Sequence, residues 1–276
     1  MCPRLLEIGP LTIYSYGLML ALGFFTASYV LSLELKRKKL DARLAGNITL
    51  AALIGGIVGS KIWFVVENWS SSLADPVGMI FSPSGLTFYG GFFGAALLIY
   101  LYLKKAGIRF LHAADAISPG LLLGYGVARL GCHFAGDGDY GFPTTLPWGT
   151  DYSRGTVPPS YAFRNFPEIT SRYPNGIVPD HTLCHPTPVY ELLMCAALVF
   201  IMWRYRRSIT ETGKMFMLYL MFAGFERFVI EFMRLNPRHL FGLSQAQLIA
   251  VVLIAAGAIG WWRLSRPKQA PSTKTA

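Results

Sequence analysis

Two arginines set in apolar sequence are the residues of this chain best suited to chemistry. Arg129 lies within residues 124–141, G-Y-G-V-A-R-L-G-C-H-F-A-G-D-G-D-Y-G, an apolar, glycine-rich run that breaks into a Gly/Asp loop. Arg227 opens R-F-V-I-E-F-M-R, with Glu231 four residues on and Arg234 seven on. A charged side chain at the centre of a membrane helix costs roughly 2.5–3.5 kcal/mol on insertion scales, so such an arginine is expected to face a polar cavity rather than hydrocarbon. The guanidinium fork fits phosphate oxygens bidentately, which would let Arg129 and Arg227 together receive one phosphate. Glu231 shares a helical face with Arg227, and Arg234 is expected two turns along the same stripe. On that face Glu231 is either the orienting partner of an arginine or half of a plain structural ion pair, and the residues alone leave both open.

Other polar residues gather around these. Tyr89 precedes Gly90, Gly91 and Gly94, small residues that let a neighbouring backbone or a ligand approach a helix closely. Tyr16 and Tyr89 are each read equally well as anchors at a membrane boundary. His133 follows Arg129 by one turn, and Asp137 and Asp139 lie in the loop beyond, where turn chemistry also accounts for Gly-Asp-Gly-Asp; a calcium loop would need more ligands than these two. The stretch His185-Pro186-Thr187-Pro188-Val189-Tyr190-Glu191 is expected to open a helix. Cys2, Cys132, Cys184 and Cys195 show no C-x-x-C spacing, so no structural metal is expected, and whether Cys132 and Cys184 join is left open.

The elements that must position these residues follow from composition. Of 276 residues, 53% are hydrophobic and 14% charged, against the roughly 25% charged residues of an average soluble domain. Seven apolar runs, about 12–33, 47–66, 86–103, 112–134, 188–204, 214–235 and 244–263, reach the roughly 17–25 residues that a helix needs to cross hydrocarbon. The fourth holds Ser118-Pro119-Gly120, a site for a kink. The first is expected to be a span rather than a cleaved leader, since no basic segment precedes it. The predicted fold is therefore an all-α polytopic membrane protein of seven transmembrane helices.

Loop charge sets the expected orientation. Lys36, Arg37, Lys38, Lys39 and Arg43 lie between the first two runs; Lys104, Lys105 and Arg109 follow the third, and Arg204, Arg206, Arg207 and Lys214 the fifth. Residues 67–85 contain no lysine or arginine. By the positive-inside rule the amino terminus is outside and the carboxyl terminus cytoplasmic. The net charge of +10 (25 Lys+Arg against 15 Asp+Glu) is thus a topology signal, and nucleic acid is rejected as a partner. Residues 1–266 are read as one membrane domain, 135–187 as an irregular extracytoplasmic cap and 267–276 as a disordered cytoplasmic tail. In this orientation Tyr16, Lys61, Tyr89, Arg129, His133, Glu191, Arg227, Glu231 and Arg234 share one depth, in the outer half of the bundle.

Four stretches together resemble the prolipoprotein diacylglyceryl transferase family: Y-G-L-M-L-A-L-G-F (16–24), G-L-T-F-Y-G-G-F-F-G-A (85–95), A-R-L-G-C-H-F-A-G-D-G-D-Y-G (128–141), and the pair H-P-T-P-V-Y-E (185–191) and R-F-V-I-E-F-M-R (227–234). The resemblance implies a bacterial inner-membrane enzyme with no cofactor. It would transfer the diacylglyceryl group of phosphatidylglycerol to the lipobox cysteine thiol of a prolipoprotein, form a thioether and release glycerol 1-phosphate. Arg129 matches the family's phospholipid-binding arginine, Arg227 its second essential arginine, Tyr16 its helix-1 tyrosine and Glu231 the acid of its R-x-x-x-E pair. Catalytic residues are then expected among Arg129, Arg227, Tyr89, His133 and Glu231. Substrate is expected at Arg129, Tyr16, Gly90, Gly91 and Gly131, and at Asp137, Glu191 and Arg234. Tyr89 stands where many members have histidine and Cys132-His133 where Asn-Phe is usual, so Tyr89 or His133 is expected to handle the thiol proton. Ala223 replaces a tyrosine often found four residues before the second arginine.

Rival functions fit less well. A transferase with the same lipid donor and another acceptor remains open. A transporter is disfavoured by the absence of an internal repeat and by nearly uncharged inner halves. A retinal protein lacks a lysine between Ser244 and Trp262, and no H-E-x-x-H or G-x-S-x-G supports proteolysis.

Overall fold

The computed structural model describes residues 1–9, 11–81 and 87–266. Gly85 and Leu86 of the second matching stretch lie outside the described residues, as does the tail 267–276 that was expected to be disordered. A hairpin of β1 (Arg4–Ile8) and β2 (Leu11–Tyr14) leads into α1 (Ser15–Arg37), and α2 (Leu44–Glu67) follows. Short α3 (Trp69–Ala74) and α4 (Pro76–Phe81) precede α5 (Phe88–Lys105) and α6 (Phe110–Ala135). The long connection holds β3 (Thr150–Asp151), α7 (Pro159–Ala162), α8 (Pro167–Thr170) and β4 (Leu183–Cys184), and the chain ends in α9 (Thr187–Tyr205), α10 (Lys214–Ile230) and α11 (Gln245–Ser265).

Among the described residues, seven helices of 17 or more residues coincide with the seven apolar runs. By length and composition, α1, α2, α9 and α11 are long and apolar enough to cross a membrane. The 17 residues of α10 rise only about 26 Å at 1.5 Å each, and α6 carries Asp115 and Arg129. Around Pro119, which has no N–H to give its helix, α6 nevertheless runs on from Phe110 to Ala135.

Two compact units are formed, residues 28–117 and residues 1–27 with 118–276. In the first, α2 and α5 touch backbone to backbone. A Cβ added at Gly55 would lie 2.5 Å from Gly94 O, and one at Gly91 would lie 2.6 Å from Ser60 Oγ. The Ser60 hydroxyl donates to Thr87 O (2.8 Å) and the Thr87 hydroxyl to Ser60 O (3.1 Å), which locks the seam. Gly90 and Gly91, expected at the substrate, line this seam. At the other end of the unit Leu31, Leu35, Ile48, Leu103 and Ala116 form a core, flanked by the ion pairs Arg37–Glu34 (2.7 Å) and Lys38–Asp115 (3.6 Å).

In the second unit Leu122, Cys195, Leu198, Met202 and Met215 pack α6, α9 and α10 together. The first part of α1 lies against α6 through small residues: a Cβ at Gly120 would meet Ala27 O at 2.6 Å, and one at Gly124 would meet Gly23 O at 2.7 Å. The cap has its own core of Tyr140, Tyr152, Phe163, Ile169, Val178 and Cys184, with the Tyr140 and Tyr152 rings stacked at 4.2 Å. Cys132 and Cys184 are both free thiols.

One expectation is corrected. The sixth apolar run was taken as helical to residue 235, which put Arg234 on the stripe of Arg227 and Glu231, but α10 ends at Ile230. Beyond it the chain tightens into turns, Met233 N–H donating to Ile230 O and Arg234 N–H to Glu231 O. Gly141 then bridges Arg234 in antiparallel fashion, and Phe142 N–H donates to Met233 O (3.2 Å). This pairing with the cap re-aims the Arg234 side chain.

The backbone contact of α2 with α5 predicts that Gly55→Leu lowers the stability of the detergent-solubilised protein by about 1–3 kcal/mol, the usual range for overpacking. Gly46→Ala, where a Cβ meets nothing within 4 Å, should be neutral or stabilising by up to about 1 kcal/mol through helix propensity. Thermal unfolding of both variants checks this, and equal effects would contradict it.

Candidate active site

Arg129 lies in the last two turns of α6. The chain leaves the helix through Gly136 (φ +58°) and Gly138 (φ +92°), left-handed conformations that favour glycine, and so doubles back to bring Asp139 to the arginine. Arg129 Nη1 donates to Asp139 Oδ2 at 2.6 Å and to Cys132 Sγ at 3.2 Å. Arg129 Nη2 donates to Glu191 Oε1 at 3.0 Å, while Nε lies against Glu191 Oε2 as an ion-pair contact without hydrogen-bond alignment. Arg234 closes the figure: its Nη1 donates to Glu191 Oε1 at 2.9 Å and its Nη2 to Asp139 Oδ1. Two guanidiniums and two carboxylates thus form a ring in which each charge touches both opposite charges.

The ring is held from outside. The Tyr125 hydroxyl donates to Glu191 Oε2 (2.8 Å), and the Thr187 hydroxyl donates to the backbone carbonyl of Asp139 (2.6 Å). Glu191 is 0% exposed and the Arg129 side chain 13%, whereas the Asp139 side chain is 33% exposed. Asp139 is therefore the ring's open member. Burial alone would raise its carboxyl pKa, but Arg129 and Arg234 hold it below the ordinary carboxylate value. Asp137, two residues before Asp139 and outside the ring, is pushed the other way by burial and by the charge of Asp139. It accepts the Asp139 N–H at 3.2 Å.

Arg227 and Glu231 make a second, simpler pair, Nη2 to Oε2 at 3.2 Å. Glu231 is fully buried and is held by the Ser244 hydroxyl (2.7 Å) and the Asn236 amide (2.5 Å). Ser244 also caps α11 in a capping box with Gln247, so one hydroxyl fixes both a helix start and the acid. The Arg227 side chain is 28% exposed and, among the described residues, has Glu231 as its one ion-pair partner, which leaves guanidinium donors for a ligand. Glu226, beside it in sequence, is buried with Oε1 lacking a hydrogen-bond partner.

The remaining expected residues fall elsewhere. His133 turns toward the cap, its Nδ1 3.0 Å from the Tyr152 hydroxyl. Gly131 lets α6 approach the start of α1, since a Cβ there would meet the Tyr16 backbone at 3.2 Å; Tyr16 itself is exposed. Tyr89, Gly90 and Gly91 belong to the other unit. Sequence reasoning took Asp139 for turn chemistry and overlooked Tyr125. The signal for Asp139 was there, an acid placed just after two glycines that can reverse the chain toward an arginine.

Cys132, Asp137 and Asp139 bring potential metal-ligand atoms within 4.8 Å of one another. The Asp139 oxygens are already engaged by two guanidiniums, whose positive charge opposes a cation at that place.

Comparison with known proteins gives a consistent result. The sequence model of the family described as prolipoprotein diacylglyceryl transferase matches residues 3–263. A protein of Clostridium tetani (strain Massachusetts / E88) named phosphatidylglycerol–prolipoprotein diacylglyceryl transferase is 31% identical over 258 residues, covering 93% of this chain and 95% of that protein. Relatives bearing the same name in Leptospira interrogans serogroup Icterohaemorrhagiae serovar copenhageni (strain Fiocruz L1-130) and, with the number 2 appended, in Clostridium perfringens (strain 13 / Type A) are 29% and 31% identical. These two matches cover 93% and 92% of this chain, and 90% and 91% of the relatives.

Because the native pKa of Asp139 is depressed, its contribution to stability is complete above the ordinary carboxylate value of about 3.9 and is lost as pH falls through the lower native value. The difference in unfolding temperature between the wild type and Asp139→Asn should therefore be constant from about pH 7 to about pH 5 and close on further acidification. A difference that stays constant or widens down to about pH 2 would contradict this assignment.

Proposed function

This chain belongs to the prolipoprotein diacylglyceryl transferase family, and from that premise we infer how its arginines serve the reaction. The protein is a membrane transferase of lipoprotein biosynthesis, moving the diacylglyceryl group of phosphatidylglycerol to the lipobox cysteine of a prolipoprotein. The cysteine sulfur attacks the glycerol carbon that carries the phosphate ester. A carbon–sulfur bond forms, the carbon–oxygen bond breaks, and glycerol 1-phosphate leaves with the bonding pair.

Seven helices cross the bacterial inner membrane, with the amino terminus and the cap outside and the carboxyl terminus in the cytoplasm. The lysine and arginine bias of the loops supports this orientation. The lipid head group and the acceptor cysteine then meet at the outer level of the bundle, where the ring lies.

The observation that carries the reading is Asp139, the half-buried carboxylate bridging two guanidiniums that are more buried than it is. The lipid phosphate takes its place on Arg129, exchanging one anion for another so that the buried positive charge stays balanced. Glu191, fully buried, stays and keeps the arginines in register. Arg227, oriented by Glu231, takes a further phosphate oxygen and stabilises charge as the phosphate leaves. A thiol of pKa about 8.5 must lose its proton to attack. Tyr89 or His133 takes that proton, and in His133 the nitrogen left for it is Nε2, since Nδ1 lies 3.0 Å from the Tyr152 hydroxyl.

Transfer from phosphatidylglycerol to a lipobox peptide tests these roles. Arg129→Lys and Arg227→Lys keep the charge but lose the fork, and each should lower kcat/KM by about 10²–10³, the scale of losing a transition-state donor. Thermal unfolding of the same samples separates this from misfolding. Full activity in both folded variants would leave the phosphate without its receptors.

A further inference from the structure

The cap carries two adjoining recesses away from the arginine ring. One, of about 380 Å³, is lined by Phe142, Pro143, Glu168, Ile169, Arg172 and Tyr173. The other, of about 410 Å³, shares Pro143 and Tyr173 with the first and adds Thr144, Thr145 and Thr182. Each lies within the roughly 300–1,000 Å³ typical of binding clefts, and together they make one channel with Tyr173 and Pro143 at its middle.

The channel lies near the site along the chain, since Phe142 and Pro143 in its lining follow Asp139 by three and four residues. Residues 141–144 connect the two through a bend at Phe142, paired on one side with Met233 and Arg234 and on the other with Leu183, Cys184 and His185. Pro143 is four residues from Asp139, so the reach between them is no more than about 15 Å. The lining is neither a lipid groove nor an anion site. Glu168 and Arg172, four residues apart and both exposed, have no ion-pair partner among the described residues. They present an acceptor and a donor at one end, threonine hydroxyls stand at the other, and an aromatic ring and a proline lie between. That set suits an extended peptide, with its carbonyls toward Arg172, its amides toward Glu168 and its side chains over Tyr173.

We propose that this channel docks the stretch of the acceptor polypeptide that follows its reacting cysteine, an inference that rests on the transfer reading above. A cysteine held at the ring continues into a chain that must cross the cap, and the channel starts within a few residues of that point. Docking there holds the acceptor through its backbone, so acceptors with different sequences after the cysteine share it.

Two acceptor peptides test the inference, one ending shortly after the lipobox cysteine and one continuing about ten residues further, long enough for both recesses at about 3.3 Å per residue. With the full-length protein, the longer peptide should have a KM lower by about fivefold or more. Arg172→Ala and Glu168→Ala, both on the exposed rim, should abolish that advantage while leaving kcat and the short peptide's KM within about twofold. A long-to-short KM ratio unchanged in both variants would overturn the proposal. Fluorescence anisotropy of the long peptide with serine in place of its cysteine reads docking without transfer. If the wild type transfers to neither peptide, the transfer reading falls, and anisotropy still decides docking: loss of binding in the variants supports the channel and equal binding refutes it.

Discussion

The structure depends on the mutual neutralisation of Arg129, Arg234, Asp139 and Glu191. Taking an ion out of water costs several kcal/mol even after relaxation, and that cost is recovered only where geometry and further hydrogen bonds are good. Here Tyr125 and Thr187 supply those bonds. The four charges come from α6, the cap loop, the start of α9 and the turn after α10, so the ring ties the cap to three helices. It also explains local features that look arbitrary alone: two left-handed glycines that reverse the chain after α6, and an early end to α10 that frees Arg234 from the helix stripe.

A ring of this kind is suited to handling an anionic substrate because its members differ in exposure. Glu191 is sealed in, while Asp139 keeps a third of its side chain exposed. In the proposed reaction a phosphate that replaces Asp139 would meet positive charge already assembled, so the protein would not have to bring two guanidiniums together against their repulsion when the lipid binds. The Arg227–Glu231 pair beside it is built on the same plan with a looser outer member, and the cap of α11 holds its acid through Ser244. Preorganised charge of this sort is the commonest large contributor to enzymatic rate.

Much of the frame was legible in the sequence. The seven apolar runs stand out by their length, and seven long helices coincide with them; the Arg227–Glu231 pair was readable because its partners sit four residues apart, one in the last turn of α10 and one at its cap. The ring was not. Its links span 10, 43, 62 and 95 residues, and no helical period connects such positions. Arg234 was misplaced because Phe232 and Met233 continue the apolar pattern past Ile230, while the helix is ended by backbone pairing with Gly141, a partner remote in sequence. The amino-terminal hairpin and the aromatic core of the cap were hidden for a related reason: short strands, and Tyr140, Tyr152 and Phe163, follow no periodicity.

The central claim is that substrate phosphate replaces Asp139 on Arg129 while Glu191 stays. A structure of the protein with phosphatidylglycerol bound tests it most directly. The account predicts a phosphate oxygen within hydrogen-bond distance of Arg129 and Arg227, the Arg129–Asp139 contact opened beyond about 4 Å, the outer limit of an ion pair, and both arginine contacts of Glu191 intact. A bound lipid whose phosphate lies elsewhere, with the four-membered ring still closed, would contradict it.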